Sequence, residues 1–245
     1  MNIIKKISII LTSLLISIGS AQAETWNMAL AYGAGNFHSQ NAAEFAKAVT
    51  DKSGGKLTIK THPGGSLFKG GAILRAVQTG QTQIGERFMS AHGRFDPLLE
   101  VDSIPFVAQT YSDAEKLYKA SKPALVKGLD EKGLVFLYAV PWPAQGLYSK
   151  KAINSVSDLK GLKFRAYNSA TIRIAELTGM APTKIEAADI SQAFSTGAVE
   201  LVLMDPFPSI GLPRGSTTLP INSSPTGTST ILPVAFTSSP SFISK

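Results

Sequence analysis

At Glu200 this chain changes character, and that change limits what it can fold into. Before it, helix-like and strand-like patterns alternate; from Leu201 to Lys245 there are nine Ser, six Thr and seven Pro in 45 residues, with only three charges. Prolines at 206, 208, 213, 220, 225, 233 and 240 break any long helix, and 222–230 offers a core no apolar side chain except Pro225. Leu201 to Leu203 continues the apolar run after Val199-Glu200 and is expected to extend one strand. Beyond about Asp205 the expectation is an irregular tail that leaves apolar faces of the earlier elements uncovered. The abrupt shift reads as a truncated or frameshifted sequence, with a divergent but genuine tail as the alternative.

The other end reads as a secretory signal over residues 1–23. Lys5 and Lys6 supply the charged region, Ile7 to Ile18 the apolar stretch, and Ala21-Gln22-Ala23 a small-x-small cleavage site. The apolar stretch falls short of the ~20 residues that a membrane-spanning helix needs. The mature chain is therefore expected to begin at Glu24 and to be exported. A sequence with no cysteine has neither disulfides nor thiolate metal sites. Without the two signal lysines the formal charge falls from +7 to +5, a modest and scattered surplus with no Lys/Arg block to bind nucleic acid.

Between the ends, the periodicities predict an α/β protein with mostly parallel strands. A first strand over Thr25 to Tyr32 leads through Gly33-Ala34-Gly35 to a helix over Ser39 to Lys52, which stops at Gly54-Gly55. Lys56 to Lys60 alternates as a half-buried strand does. A helix over Gly71 to Thr79, a strand near Gln83 to Phe88 and a helix over Ser112 to Asp130, kinked or divided at Pro123, follow. Leu134 to Val140 is continuously apolar and suits a central strand buried on both faces. Pro141-Trp142-Pro143 interrupts it, and Gln145 to Ser149 reads as a crossing strand into a second, smaller unit. That unit has an N-cap-like Ser155-Val156-Ser157-Asp158, a strand over Lys163 to Tyr167, a helix over Ala170 to Leu177, a strand near Thr183 to Ile185 and a helix over Ala188 to Thr196. The expected domains are thus 24–144, 145–204 and the tail 205–245.

Little in this chain suggests catalysis. His38, His62 and His92 lie in separate segments without metal-ligand spacing and read as ordinary loop or surface histidines. The glycine-rich stretch Pro63 to Gly71 lacks the Gly-Lys-Ser/Thr ending of a phosphate loop and reads as a flexible lead into a helix. No Gly-x-Ser-x-Gly elbow occurs. No cofactor is expected. Arg165 is more informative. It lies in the apolar-rich run Leu162 to Tyr167, so its guanidinium either faces water together with Lys163 or has an anionic partner. A guanidinium fork at a strand end, beside Tyr167 and Asn168, has the geometry to grip a carboxylate. Trp142 packs a hinge or walls a ligand cleft, and Glu86, ending a short strand, reads as a surface acid or a site residue.

Several segments together carry a resemblance to a known family. They are Gly54-Gly55-Lys56-Leu57, Leu74 to Gly80 before Ile84-Gly85, Val101 to Phe106, and above all Ala152 to Arg165 followed by Tyr167-Asn168 and Ala193 to Glu200. Over roughly Trp26 to Glu200 the chain resembles the DctP family, the solute receptors of tripartite ATP-independent periplasmic (TRAP) transporters. The resemblance implies a two-lobed, periplasmic-binding-protein-like α/β fold, located in the periplasm, that closes on an organic acid and delivers it to the membrane permease subunits. It implies that Arg165 forms the salt bridge to the ligand carboxylate, that Asn168 is another ligand contact, and that Tyr32, Glu86, Trp142 and Gln145 face the cleft. Gln145 stands where some members carry a second basic contact, and Met204 where many carry a polar one. Members of this family continue into a long helix spanning both lobes, a strand returning to the first lobe, and C-terminal helices, which the composition after Glu200 leads one not to expect here. The rival readings are a non-functional truncated product and a periplasmic α/β hydrolase.

Overall fold

The computed structural model describes residues 23–104, 107–108, 110–143, 145–204, 217–219 and 233–238. These form two five-stranded sheets. In the first, β1 (Glu24–Leu30), β2 (Leu57–His62), β3 (Ile84–Phe88), β4 (Leu134–Ala139) and β10 (Pro233–Ser238) lie in the order β2-β1-β3-β10-β4. In the second, β5 (Gly146–Ser149), β6 (Lys163–Ala166), β7 (Ala181–Lys184), β8 (Leu201–Met204) and β9 (Thr217–Leu219) lie in the order β7-β6-β8-β5-β9. The expected α/β, two-lobed architecture is present.

The parallel core of each sheet follows from strand-helix-strand alternation. β1 pairs in parallel with β2 through α1 (Phe37–Lys52) and with β3, which α2 (Ile73–Gln78) precedes. Asn36 starts α1 by accepting the His38 N–H at 2.9 Å. The pleat sends Met28 and Leu30 into one cluster with Ala42 and Ala46 of α1, and Ala29 and Ala31 into another with Ile73, Leu74 and Val77. The second sheet is covered likewise. Leu201 meets Phe164 and Ala175 of α4 (Ser169–Thr178), whereas Val202 and Met204 meet Ile190 and Phe194 of α5 (Ile190–Thr196). Gly179 and Gly197 end these two helices at φ 71° and 76°, a left-handed turn that a side chain would resist.

Four expectations are corrected. The tail is not wholly irregular: β9 adds to the edge of the second sheet, and β10 returns to the first, where it pairs antiparallel with both β3 and β4. Six residues suffice for a strand between two existing edges, because both neighbours supply the ladder. A strand of the tail therefore returns to the first sheet, and the rest of 205–245 lies outside the described residues, as do residues 1–22 of the signal proposed for 1–23. β4 is not doubly buried; it is the sheet's edge, with Leu134 buried and its other residues half-buried. α3 (Tyr111–Asp130) is not divided at Pro123, which forfeits one backbone donor in a largely exposed helix. Finally, β5 belongs entirely to the second sheet, so that strand does not cross between the two halves.

Candidate ligand-binding cleft

A cavity of about 40 Å³ lies between the sheets, walled by Tyr32, Arg87 and Trp142 from the first half and Gln145, Arg165 and Glu186 from Gln145 onward, among others. At roughly 10–15 Å³ per water this is space for a few solvent molecules between walls drawn close together.

Arg165 is fixed from behind. It stands on β6 with 8% of its surface exposed, and its Nε and Nη1 donate to the backbone oxygens of Ile185 and Leu203 at 3.1 and 3.3 Å. The guanidinium carbon lies 4.5 Å from the Tyr167 ring centroid. Lys163, two residues earlier, is exposed at the strand's start, so the two cations do not share a wet face. Burial lowers the Arg165 pKa, yet a guanidinium stays charged at any physiological pH. Among the described residues no carboxylate comes within ion-pair distance of it.

The surrounding wall is aromatic. Tyr32 and Trp142 meet edge to face at 5.2 Å, and Trp142 packs on Phe37 at 5.2 Å and on His38 at 4.1 Å. Tyr167 donates its hydroxyl to Gln145 Oε1, and burial pushes the pKa values of Tyr32 and Tyr167 upward, keeping both as neutral donors. His38 is a correction: far from a surface histidine, it is fully buried in this aromatic group, where burial lowers its pKa to about 3.

Of the six residues singled out in the sequence, Tyr32, Trp142, Gln145 and Arg165 line the cavity. The other two sit off its wall. Asn168 caps α4 by accepting the Thr171 N–H at 2.9 Å, and its Nδ2 reaches across to Ser90 Oγ at 3.0 Å and Ser103 Oγ at 3.3 Å, fastening the two halves together. Glu86 is fully buried on the far side of β3, where one oxygen accepts the Tyr138 hydroxyl at 2.6 Å and the other has no partner among the described residues. Burial pushes its pKa up to about 7.

Arg87 and Glu186 are among the wall residues that escaped the sequence reading. Arg87, alternating with Glu86 on the pleat, faces the cleft and pairs through Nη2 with Glu186, at 2.9 Å to Oε2 and 3.3 Å to Oε1. A second charge inside the short strand Ile84 to Phe88 was the available signal, of the same kind that marked Arg165. Glu186 had none, since its position depends on the turn after β7. Gly70 explains part of the glycine-rich stretch, because a Cβ there would lie 2.6 Å from Arg87 Nη1 and 2.7 Å from Glu186 Oε2.

Comparison with known proteins decides the kinship. Residues 29–203 match DctP, described as bacterial extracellular solute-binding protein, family 7. This chain belongs to the DctP family. Among solved structures, a marine-metagenome TRAP solute-binding protein specific for pyroglutamate is 43% identical, with TM-score 0.78 over 89% of this chain and 71% of that one. DctP6 of Bordetella pertussis, an extracytoplasmic receptor binding pyroglutamic acid, is 37% identical, with TM-score 0.79 over 90% of this chain and 73% of that one. The sialic acid-binding periplasmic protein SiaP of Vibrio cholerae is 25% identical over 82% of this chain. The DctP chain described here spans 63% of the length of that last relative.

Proposed function

We propose that this DctP-family chain is the periplasmic receptor of a TRAP transporter, and that it binds a small carboxylate-bearing solute, pyroglutamate first among candidates, for delivery to the membrane permease. One observation carries the reading: Arg165 is a buried guanidinium, held by two backbone carbonyls, with no carboxylate partner among the described residues. A cation taken out of water without an anion is unfavourable, so the site gains when a ligand carboxylate arrives. The fork retains donors beyond the two engaged by backbone and accepts a carboxylate through parallel hydrogen bonds. The choice of pyroglutamate rests on the two solved relatives described as binding it, at 43% and 37% identity.

No bond needs to be made or broken. Tyr32 and Trp142 on one side and Arg165 and Gln145 on the other close on the solute, and exclusion of water strengthens the charge contact. The test is a thermal-shift screen of the purified chain against pyroglutamate, succinate, galacturonate and the neutral pyroglutamate amide. A rise in melting temperature with pyroglutamate and none with the amide supports the reading. A folded protein unmoved by every acid sinks it, and a sample without a cooperative transition supports the truncated-product alternative.

A further inference from the structure

We infer that Glu186 sets the charge class of the ligand: by holding Arg87 in an ion pair it restricts the cleft to monocarboxylates with a neutral far end, against dicarboxylates. The inference rests on the carboxylate-receptor reading of the same site.

Three cations reach the cavity wall, Arg87, Arg165 and Lys184. Lys184 is exposed, and an ammonium in water contributes little to discrimination. The two arginines are both buried, at 5% and 8% exposure, and differ in what they face. Among the described residues Arg165 donates to two backbone carbonyls and stacks on an aromatic ring, with Glu186 acting on it through space and not in an ion pair, whereas both oxygens of Glu186 contact Arg87 Nη2. The two arginines and Glu186 together therefore carry one net positive charge, which one ligand carboxylate neutralises. A second ligand carboxylate approaching Arg87 meets Glu186 first and has to displace it or sit beside it, like charge against like charge in a poorly solvated gap.

The pair is held in place. Arg87 comes from β3 in the first half and Glu186 from the turn after β7 in the second, so the contact forms as the halves come together. Gly70 lies against both side chains and leaves no room for a Cβ between them. With its side chain 27% exposed, Glu186 also keeps capacity to accept an N–H from a ligand, as lactam or amide acids supply. The glycine-rich loop, read from the sequence as merely flexible, thus seats the pair that filters ligand charge.

The experiment is calorimetry of the chain with pyroglutamate and with glutarate, a dicarboxylate of the same carbon count. Unaltered protein is expected to prefer pyroglutamate at least about tenfold, a difference of about 1.4 kcal/mol. Glu186→Gln, which frees Arg87, is expected to shift that ratio at least about tenfold toward glutarate. The double variant Arg87→Gln/Glu186→Gln, which restores the single net charge, is expected to return the preference to pyroglutamate. Equal affinities for the two acids in the unaltered chain overturn the inference and leave the carboxylate reading standing, and this result needs no variant to fold. An unchanged ratio in Glu186→Gln also overturns it. Failure of the unaltered chain to bind either acid removes both.

Discussion

Replacing Arg165 by alanine separates ligand recognition from stability in a way the structure makes quantitative. In the ligand-free protein the substitution removes two hydrogen bonds to the backbone oxygens of Ile185 and Leu203 and the stacking on Tyr167. These contributions are about 1 kcal/mol net per hydrogen bond and about 0.5–2 kcal/mol for the cation over the ring. Against them stands relief from a buried cation that lacks an anion, which is of similar size and opposite sign. The ligand-free melting temperature should therefore move by only a few degrees. Binding should suffer far more, because a carboxylate closed into the cleft without its cation costs about 2–5 kcal/mol, or roughly 30- to 5,000-fold in Kd. Arg165→Lys should fall between, since an ammonium keeps the charge but neither the fork nor the two backbone anchors. Calorimetry with pyroglutamate, paired with melts in its presence and absence, reads both quantities. An alanine variant within about threefold of the parent affinity would refute the assignment.

Thr237→Pro probes the returning strand, since residue 237 pairs with Ile84 on one side and Val135 on the other. One lost ladder bond and one stranded carbonyl should cost about 2–4 kcal/mol, read as a fall of several degrees or more by calorimetric melting; an unchanged transition would contradict the position of β10. Glu86→Gln should flatten the pH dependence of stability. The folded chain holds the Glu86 proton up to about pH 7, whereas the unfolded chain releases it near 4.5, so stability is highest below 4.5 and declines as pH rises to about 7. The decline is roughly 3 kcal/mol at about 1.36 kcal/mol per unit, and denaturant melts from pH 4 to 8 that show the same slope in both proteins would rule out this role for Glu86.

The sequence showed the sheets well wherever periodicity and a glycine stop coincided, as in the helix that ends at Gly179 and the strand over Lys163 to Ala166. It also marked Arg165 as a candidate, because a guanidinium in an apolar strand is conspicuous, while the pattern alone left a solvent-facing side chain open. It did not show β10. Composition argues against structure in a Ser/Thr/Pro-rich tail, but a strand between two ready edges draws on their hydrogen bonding rather than on its own pattern. Position on the sheet likewise set the exposure of β4, an edge strand whose apolar run resembles that of a central one. For the cleft, the missing information was pairwise. Arg87 and Glu186 lie 99 residues apart, and only the approach of the two halves over Gly70 makes them partners. Asn168 was picked out as a ligand contact; without a ligand its amide reaches Ser90 and Ser103 in two 3-10 turns that the sequence pattern did not reveal.

A crystal structure of the chain grown with pyroglutamate tests the central claim most directly. The predicted result is a carboxylate seated between the two sheets with both oxygens within hydrogen-bond distance of the Arg165 guanidinium, and the Arg87–Glu186 pair intact at the other end of the ligand. A ligand bound with its carboxylate away from Arg165, or an empty cleft at saturating concentration, would contradict the account.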